Sequence, residues 1–231
     1  MKDLQNQLVH EFQNLALLEM AFVHRSFVNE NRDVSESNER LEFLGDAVLE
    51  LITTDFLFHK FPGKPEGELT ALRSALVKGE TLAEVAAELN LGQHLKLSKG
   101  EARSGGAEKP YLLANVFEAV LGAVYLDGGY SKAEAIVTKF LLPKLLHIIE
   151  ANLQVDAKSE FQELAQAKLA VTPEYKVLAE SGPDHDKTFE MGAFAGKDLL
   201  GRGKGSSKQD AEQAAAEAAL KKLKQEARTK D

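Results

Sequence analysis

The 231-residue sequence contains no cysteine, which excludes disulfides and thiolate metal sites and fits a reducing compartment. It lacks an apolar run of signal-peptide length near the start, where it reads MKDLQNQLVHEFQN. No stretch approaches the ~18 uninterrupted apolar residues of a spanning helix, so a cytoplasmic chain without a membrane partner is expected. There is no internal repeat and no low-complexity tract. An excess of basic charge is also missing: the net charge is −8. That sum argues at first against a nucleic-acid partner, but the distribution matters more. Residues 1–155 carry a net −7 and residues 156–231 only −1. A late basic cluster holds Lys197, Arg202, Lys204, Lys208, Lys221, Lys222 and Lys224. By charge alone it also fits a solvated helix face.

Hydrophobic content of 44% is enough for ordinary globular cores. Apolar positions three and four apart predict helices over 4–28, 38–60, 67–77, 80–89, 110–127 and 131–150. Segment 92–109 is rich in Gly, Lys and Ser and is expected to be a long loop, functional or mobile. Beyond about residue 152 the pattern changes. A helix is expected over 158–169, then strands over Glu174–Glu180 and Lys187–Ala195. A short third strand over Lys197–Gly203 is broken by Gly201 and Gly203, and an Ala-rich helix covers 207–224. The fold class is therefore multidomain: an all-α domain over 1–152 and a small α+β domain, α-β-β-β-α, over 157–226.

In NERLEFLGDAVLE, Glu39, Glu42 and Asp46 stand at i, i+3 and i+7 and share one helix face. Like charges at that spacing repel, and a divalent cation would compensate them. The opposite face carries Leu41, Phe43, Leu44, Val48 and Leu49. In ANVFEAVLGAVYLD, Asn115 and Glu118 lie at i, i+3 on an otherwise apolar helix, where an unpaired carboxylate is costly to bury. The loop Pro65-Glu66-Gly67-Glu68 is a third acidic segment. Oxygen ligands from two helices and a loop suit Mg²⁺. On spacing alone, the same acids equally read as solvated or paired with Arg25, Arg40 or Arg73.

These segments resemble the ribonuclease III family. NERLEFLGDAVLEL is similar to its signature motif, AFVHRSF to its early helix, and PEGELT to its second acidic segment. KGEARSGG resembles its glycine-containing loop, and LLANVFEAVLGAVYLDGGY its second catalytic helix. The run GSSKQDAEQAAA resembles the close of a double-stranded RNA-binding domain. The likeness spans nearly the whole chain, with the elements in order. It implies an Mg²⁺-dependent endoribonuclease (Mn²⁺ may substitute) that cuts double-stranded RNA in processing of ribosomal and other structured precursors, messenger hairpins included. It further implies a homodimer, and 5′-phosphate and 3′-hydroxyl products with short 3′ overhangs.

By the same resemblance Glu42, Asp46, Glu66, Asn115 and Glu118 hold metal positions, and Asp46, Glu118 and Glu39 serve catalysis. Phe43 enters the partner subunit. Asn115 departs from the family's usual Asp and removes one negative charge, which leaves open a catalytically weak RNA-binding relative. In the second domain three regions suit the wide minor groove and the phosphates of A-form RNA. They are Ser159, Gln162 and Glu163 on the first helix, His185 in the turn between strands, and Lys204, Ser207 and Lys208 near the last helix's N-terminus. Ser207 by itself also reads as a helix cap, and Gln209 stands where a basic residue is common.

Overall fold

The structure is a computed structural model, describing residues 1–151, 157–182 and 187–228. The chain divides into two compact units, Met1–Gln154 and Val155–Asp231. In the first unit, short helices α1 (Lys2–Leu8), α2 (Leu15–Ala21) and α3 (Arg25–Glu30) precede the long α4 (Glu39–Lys60). Then come α5 (Glu66–Val77), α6 (Gly79–Glu88), α7 (Lys99–Arg103), α8 (Pro110–Gly128), α9 (Tyr130–Ile136) and α10 (Lys144–Glu150).

The helix expected over 4–28 is three helices. Val9 turns left-handed with φ 54°, and the Asn14 side chain caps α2 by accepting from the Ala16 N–H. The Asp127 carboxylate accepts from the N–H groups of Gln13 and Asn14 at 3.0 and 2.8 Å, so these donors are lost to a continuing helix. The helix expected over 131–150 is interrupted by a π-turn at Val137–Leu141 and by Pro143. Segment 92–109 is no open loop: it folds into α7 flanked by single 3₁₀ turns. Lys109 Nζ ties it down by donating to Glu101 Oε1 at 2.7 Å and to Ser104 Oγ at 3.0 Å.

Helix α8 is the centre of the core. From Leu112 to Val124 every residue is buried except Asn115 and Glu118. It meets the length and hydropathy of a membrane-crossing helix, yet 61% of that stretch is buried inside the protein. Helix α4 crosses it at two glycines. An ideal Cβ on Gly45 would stand 1.8 Å from the Glu118 carbonyl oxygen, and one on Gly122 would stand 2.2 Å from that of Leu41. Only hydrogen fits at either place, so the two backbones touch.

The second unit is α11 (Ala157–Leu169), β1 (Pro173–Ser181), β2 (Thr188–Ala195), β3 (Asp198–Gly205) and α12 (Lys208–Arg228). The strands form one antiparallel sheet in sequence order. Gly201 and Gly203 do not break the third strand. A Cβ at either would fall within 2.2 Å of the Ala215 backbone, so the glycines, with Gly205, let α12 lie directly on β3. Ala211, Ala215, Ala216 and Ala219 supply the equally small helix face, and Phe161 of α11 fills the remaining core.

Candidate active site and nucleic-acid interface

The start of α4 is pinned by Asn38. This buried residue donates from its side chain to the Ala21 carbonyl at 3.1 Å and from its backbone to Val23 at 2.8 Å. Fixed there, α4 presents Glu39, Glu42 and Asp46 one and two turns along. The Gly45–Gly122 crossing brings Glu42 and Asp46 up to the polar break in α8, where Asn115 and Glu118 sit half-buried.

The electrostatics record this meeting. Burial, then the charges of Asp46 and Glu42, push the Glu118 carboxyl up to about 7. Burial, Glu39 and Asp46 raise Glu42, while a hydrogen bond with Asn115 opposes them. Acids from separate segments thus repel one another around one half-buried spot. Among the described residues no group of three or more His, Asp or Glu that could hold a metal ion as it stands is found. The carboxylates of Glu42, Asp46 and Glu118 are within Coulombic reach of one another.

Glu39 is exposed and engaged elsewhere: Oε1 faces Arg25 Nη1 at 3.4 Å, and Oε2 accepts from Ser37 Oγ at 2.8 Å. The pairing with Arg25 open from sequence is therefore present. Arg73, in contrast, donates to Thr54 Oγ1. Glu66 is not brought to the cluster within this chain. It opens α5, is exposed, and accepts from Thr70 Oγ1 at 3.4 Å. It lines a separate cavity of about 390 Å³ with Thr54, Phe58, Lys64 and Arg73. Thr54 is eight residues beyond Asp46, about 12 Å along the helix. Phe43, assigned by pattern to the apolar face of α4, is 80% exposed, whereas Leu41, Val48 and Leu49 are buried.

In the second unit Ser159, Gln162 and Glu163 are all exposed on α11. Ser207 Oγ accepts from the Asp210 N–H at 3.1 Å, and Asp210 Oδ2 accepts from the Ser207 N–H and from Ser206 Oγ at 3.2 and 2.9 Å. This reciprocal cap opens α12 and gives Ser207 its capping role directly. Lys204 and Lys208 are exposed. His185 lies outside the described residues. Sequence reading missed Glu190, which faces Lys204 across the sheet, and Glu180, which faces Lys208 at the start of α12, because strand register and helix docking bring them together.

Residues 14–145 match the Ribonuclease-III-like family model, and residues 157–223 match the double-stranded RNA binding motif. The chain belongs to the ribonuclease III family. It is 45% identical over 220 residues to Ribonuclease 3 of Bdellovibrio bacteriovorus, covering 95% of this chain and 94% of that protein. To Ribonuclease 3 of Listeria monocytogenes it is 43% identical over 224 residues, covering 96% and 97%. Among solved structures, the nuclease domain of ribonuclease III from Campylobacter jejuni superposes with a TM-score of 0.58 at 41% identity. That match covers 62% of this chain and 95% of that domain. A second structure of the same domain, described for flexibility in a region involved in dimer formation, matches with the same score and identity. As a ribonuclease III, the chain is an endoribonuclease whose helical nuclease domain is followed by a double-stranded RNA-binding domain.

Proposed function

We propose that this chain hydrolyses phosphodiester bonds in double-stranded RNA with Mg²⁺, or Mn²⁺ in its place, held by Glu42, Asp46, Asn115 and Glu118. The observation that carries the reading is Glu118, a carboxyl driven to about 7 by burial and by two neighbouring acids on another helix. A divalent cation among them would relieve that repulsion, and an all-oxygen donor set suits Mg²⁺. The cation, when bound, supplies Lewis acidity at the scissile phosphate.

Glu118 and Asp46 face the reacting phosphate, and the Glu118 carboxylate accepts the proton of the attacking water. The water oxygen bonds to phosphorus as the P–O3′ bond breaks. The departing 3′-oxygen takes a proton from solvent water, leaving a 3′-hydroxyl and a 5′-phosphate. Glu39, tethered to Arg25 and Ser37, adds negative charge beside Glu42 and borders the site. Glu66 reaches a metal only from outside this cluster.

Phe43, with exposed Leu51 and Phe58 on the same helix, favours a homodimer in which this apolar surface is covered by a second copy. Two sites related by a two-fold axis then cut opposite strands and leave short 3′ overhangs. Residues 1–152 cut, and residues 157–226 hold the duplex through Ser159, Gln162, Glu163, His185, Lys204, Ser207 and Lys208. Structured precursors of ribosomal and messenger RNA in the cytoplasm are the fitting substrates.

Asn115 favours a second reading, a catalytically weak binder of duplex RNA, because it removes one charge from the donor set. Incubating a long RNA duplex with the chain and Mg²⁺, with and without chelator, separates the two. Metal-dependent cutting to 5′-phosphate ends supports the nuclease; binding without cutting supports the weak relative.

A further inference from the structure

The RNA-binding domain carries almost no net charge, and four of its cations, Lys187, Arg202, Lys204 and Lys208, face carboxylates of the same domain. Glu180, at the end of β1, faces Lys187 Nζ with Oε2 and Lys208 Nζ with Oε1, each at 3.7 Å. Lys208 is the first residue of α12, and its ammonium also lies 5.7 Å from the centre of the Phe189 ring. Glu190 repeats the arrangement on β2. Its Oε1 is 3.5 Å from Arg202 Nη1 and its Oε2 is 3.6 Å from Lys204 Nζ on β3. Register places Glu190 opposite Lys204 and Gly192 opposite Arg202, so one carboxylate reaches both cations. Glu190 is the more sheltered partner, its side chain 22% exposed against 64% and 72% for Arg202 and Lys204.

Two carboxylates thus each span a pair of cations, as a backbone phosphate would. We propose that Glu180 and Glu190 compete in cis with RNA phosphate for Lys187, Lys208, Arg202 and Lys204, and so set the affinity and salt dependence of duplex binding. The inference rests on duplex RNA binding by this domain. A phosphate approaching Lys208 or Lys204 must displace a carboxylate already there. These pairs are solvent-exposed and a little long, so each weakens binding modestly. Salt screens the internal pair as well as the RNA contact, so the competition fades as salt rises.

The test uses the full chain with a 20-base-pair RNA duplex in chelator, where binding is read without cutting, across a KCl series. Glu180→Gln and Glu190→Gln are each expected to tighten binding about two- to fivefold at low salt. The gain should shrink at high salt, giving a steeper decline of affinity with KCl than in the unmodified chain. Asp198→Asn removes the same charge from the opposite end of β3 and controls for bulk charge. Unchanged or weaker binding in both glutamine variants overturns the proposal, as does an equal gain in Asp198→Asn. If the unmodified chain fails to bind the duplex at all, the functional reading underneath is overturned too.

Discussion

Gly45 of α4 packs directly on the backbone of Glu118 in α8: a methyl group at Gly45 would lie 1.8 Å from the Glu118 carbonyl oxygen. The helix contact that builds the core therefore also sets the spacing of the acids. Gly45→Ala must push the helices apart, because the clashing atom is backbone and cannot rotate away. We expect a stability loss of about 1–3 kcal/mol or more by chemical denaturation. At saturating duplex RNA, the cleavage rate should fall by more than the unfolded fraction explains, since Glu42 and Asp46 move away from Glu118.

Glu118 makes the metal-free protein sensitive to pH. Its carboxyl titrates at about 7 when folded, against an ordinary value of 4.5. The folded state therefore holds more protons between those values, and stability falls as pH rises from about 4.5 to about 7. The raised Glu42 carboxyl acts in the same direction. In chelator, Glu118→Gln should flatten this decline and raise Tm by a few degrees at pH 8. Mg²⁺ should stabilise the unmodified chain more than the variant.

Asp127 has the opposite sign. Burial alone would raise its carboxyl, but hydrogen bonds from Asn14, Gln13 and His10 outweigh burial and hold it below its ordinary 3.8. Its contribution is present above 3.8 and is lost as pH falls through the lower folded value. His10 Nε2 lies 2.9 Å from Asp127 Oδ2, with both side chains almost wholly buried. Asp127→Ala leaves two backbone donors and the imidazole without this acceptor, for an expected loss of about 1–3 kcal/mol. Urea denaturation at pH 7 measures it.

Asn115 meets Glu42 as a neutral hydrogen-bonding partner. Asn115→Asp replaces that partner with a fourth carboxylate. Half-saturation of cleavage by Mg²⁺ should move about tenfold lower, because ligand charge tunes affinity for hard cations. The metal-free protein should in turn be less stable, since like charge is added to a repelling cluster. Titrating the cleavage rate with Mg²⁺ at fixed RNA checks the first, and thermal melting in chelator checks the second.

The helical periods of 38–60 and 110–127 carried most of the fold and the acidic cluster, because residues spaced three, four and seven apart face one way on any helix. Which helices meet was less legible. Gly45 is one glycine within a helical period, and nothing in that period says that the backbone of Glu118 lies under it. Gly201 and Gly203 looked like breaks in a strand and are the seat of α12, a role visible only once the alanine face is placed on them. The N-terminal helix was overextended because Asp127, more than a hundred residues away, takes the backbone donors at Gln13 and Asn14. Glu66 fitted a ligand pattern, yet within one chain it opens α5 and lines a cavity beside Thr54, a residue about 12 Å along α4 from Asp46. Phe43 could not be placed by period, since an exposed apolar residue on a helix looks the same in sequence as one in the core.

The most direct test is single-turnover cleavage of a defined RNA duplex by the unmodified chain and by Glu118→Gln, with Mg²⁺ in excess and duplex binding measured in parallel. The expected result is metal-dependent cutting by the unmodified chain and a loss of about a thousandfold or more in the variant, with duplex affinity unchanged. A variant that binds and cuts at the unmodified rate would contradict the assignment of the chemistry to the acids of α4 and α8.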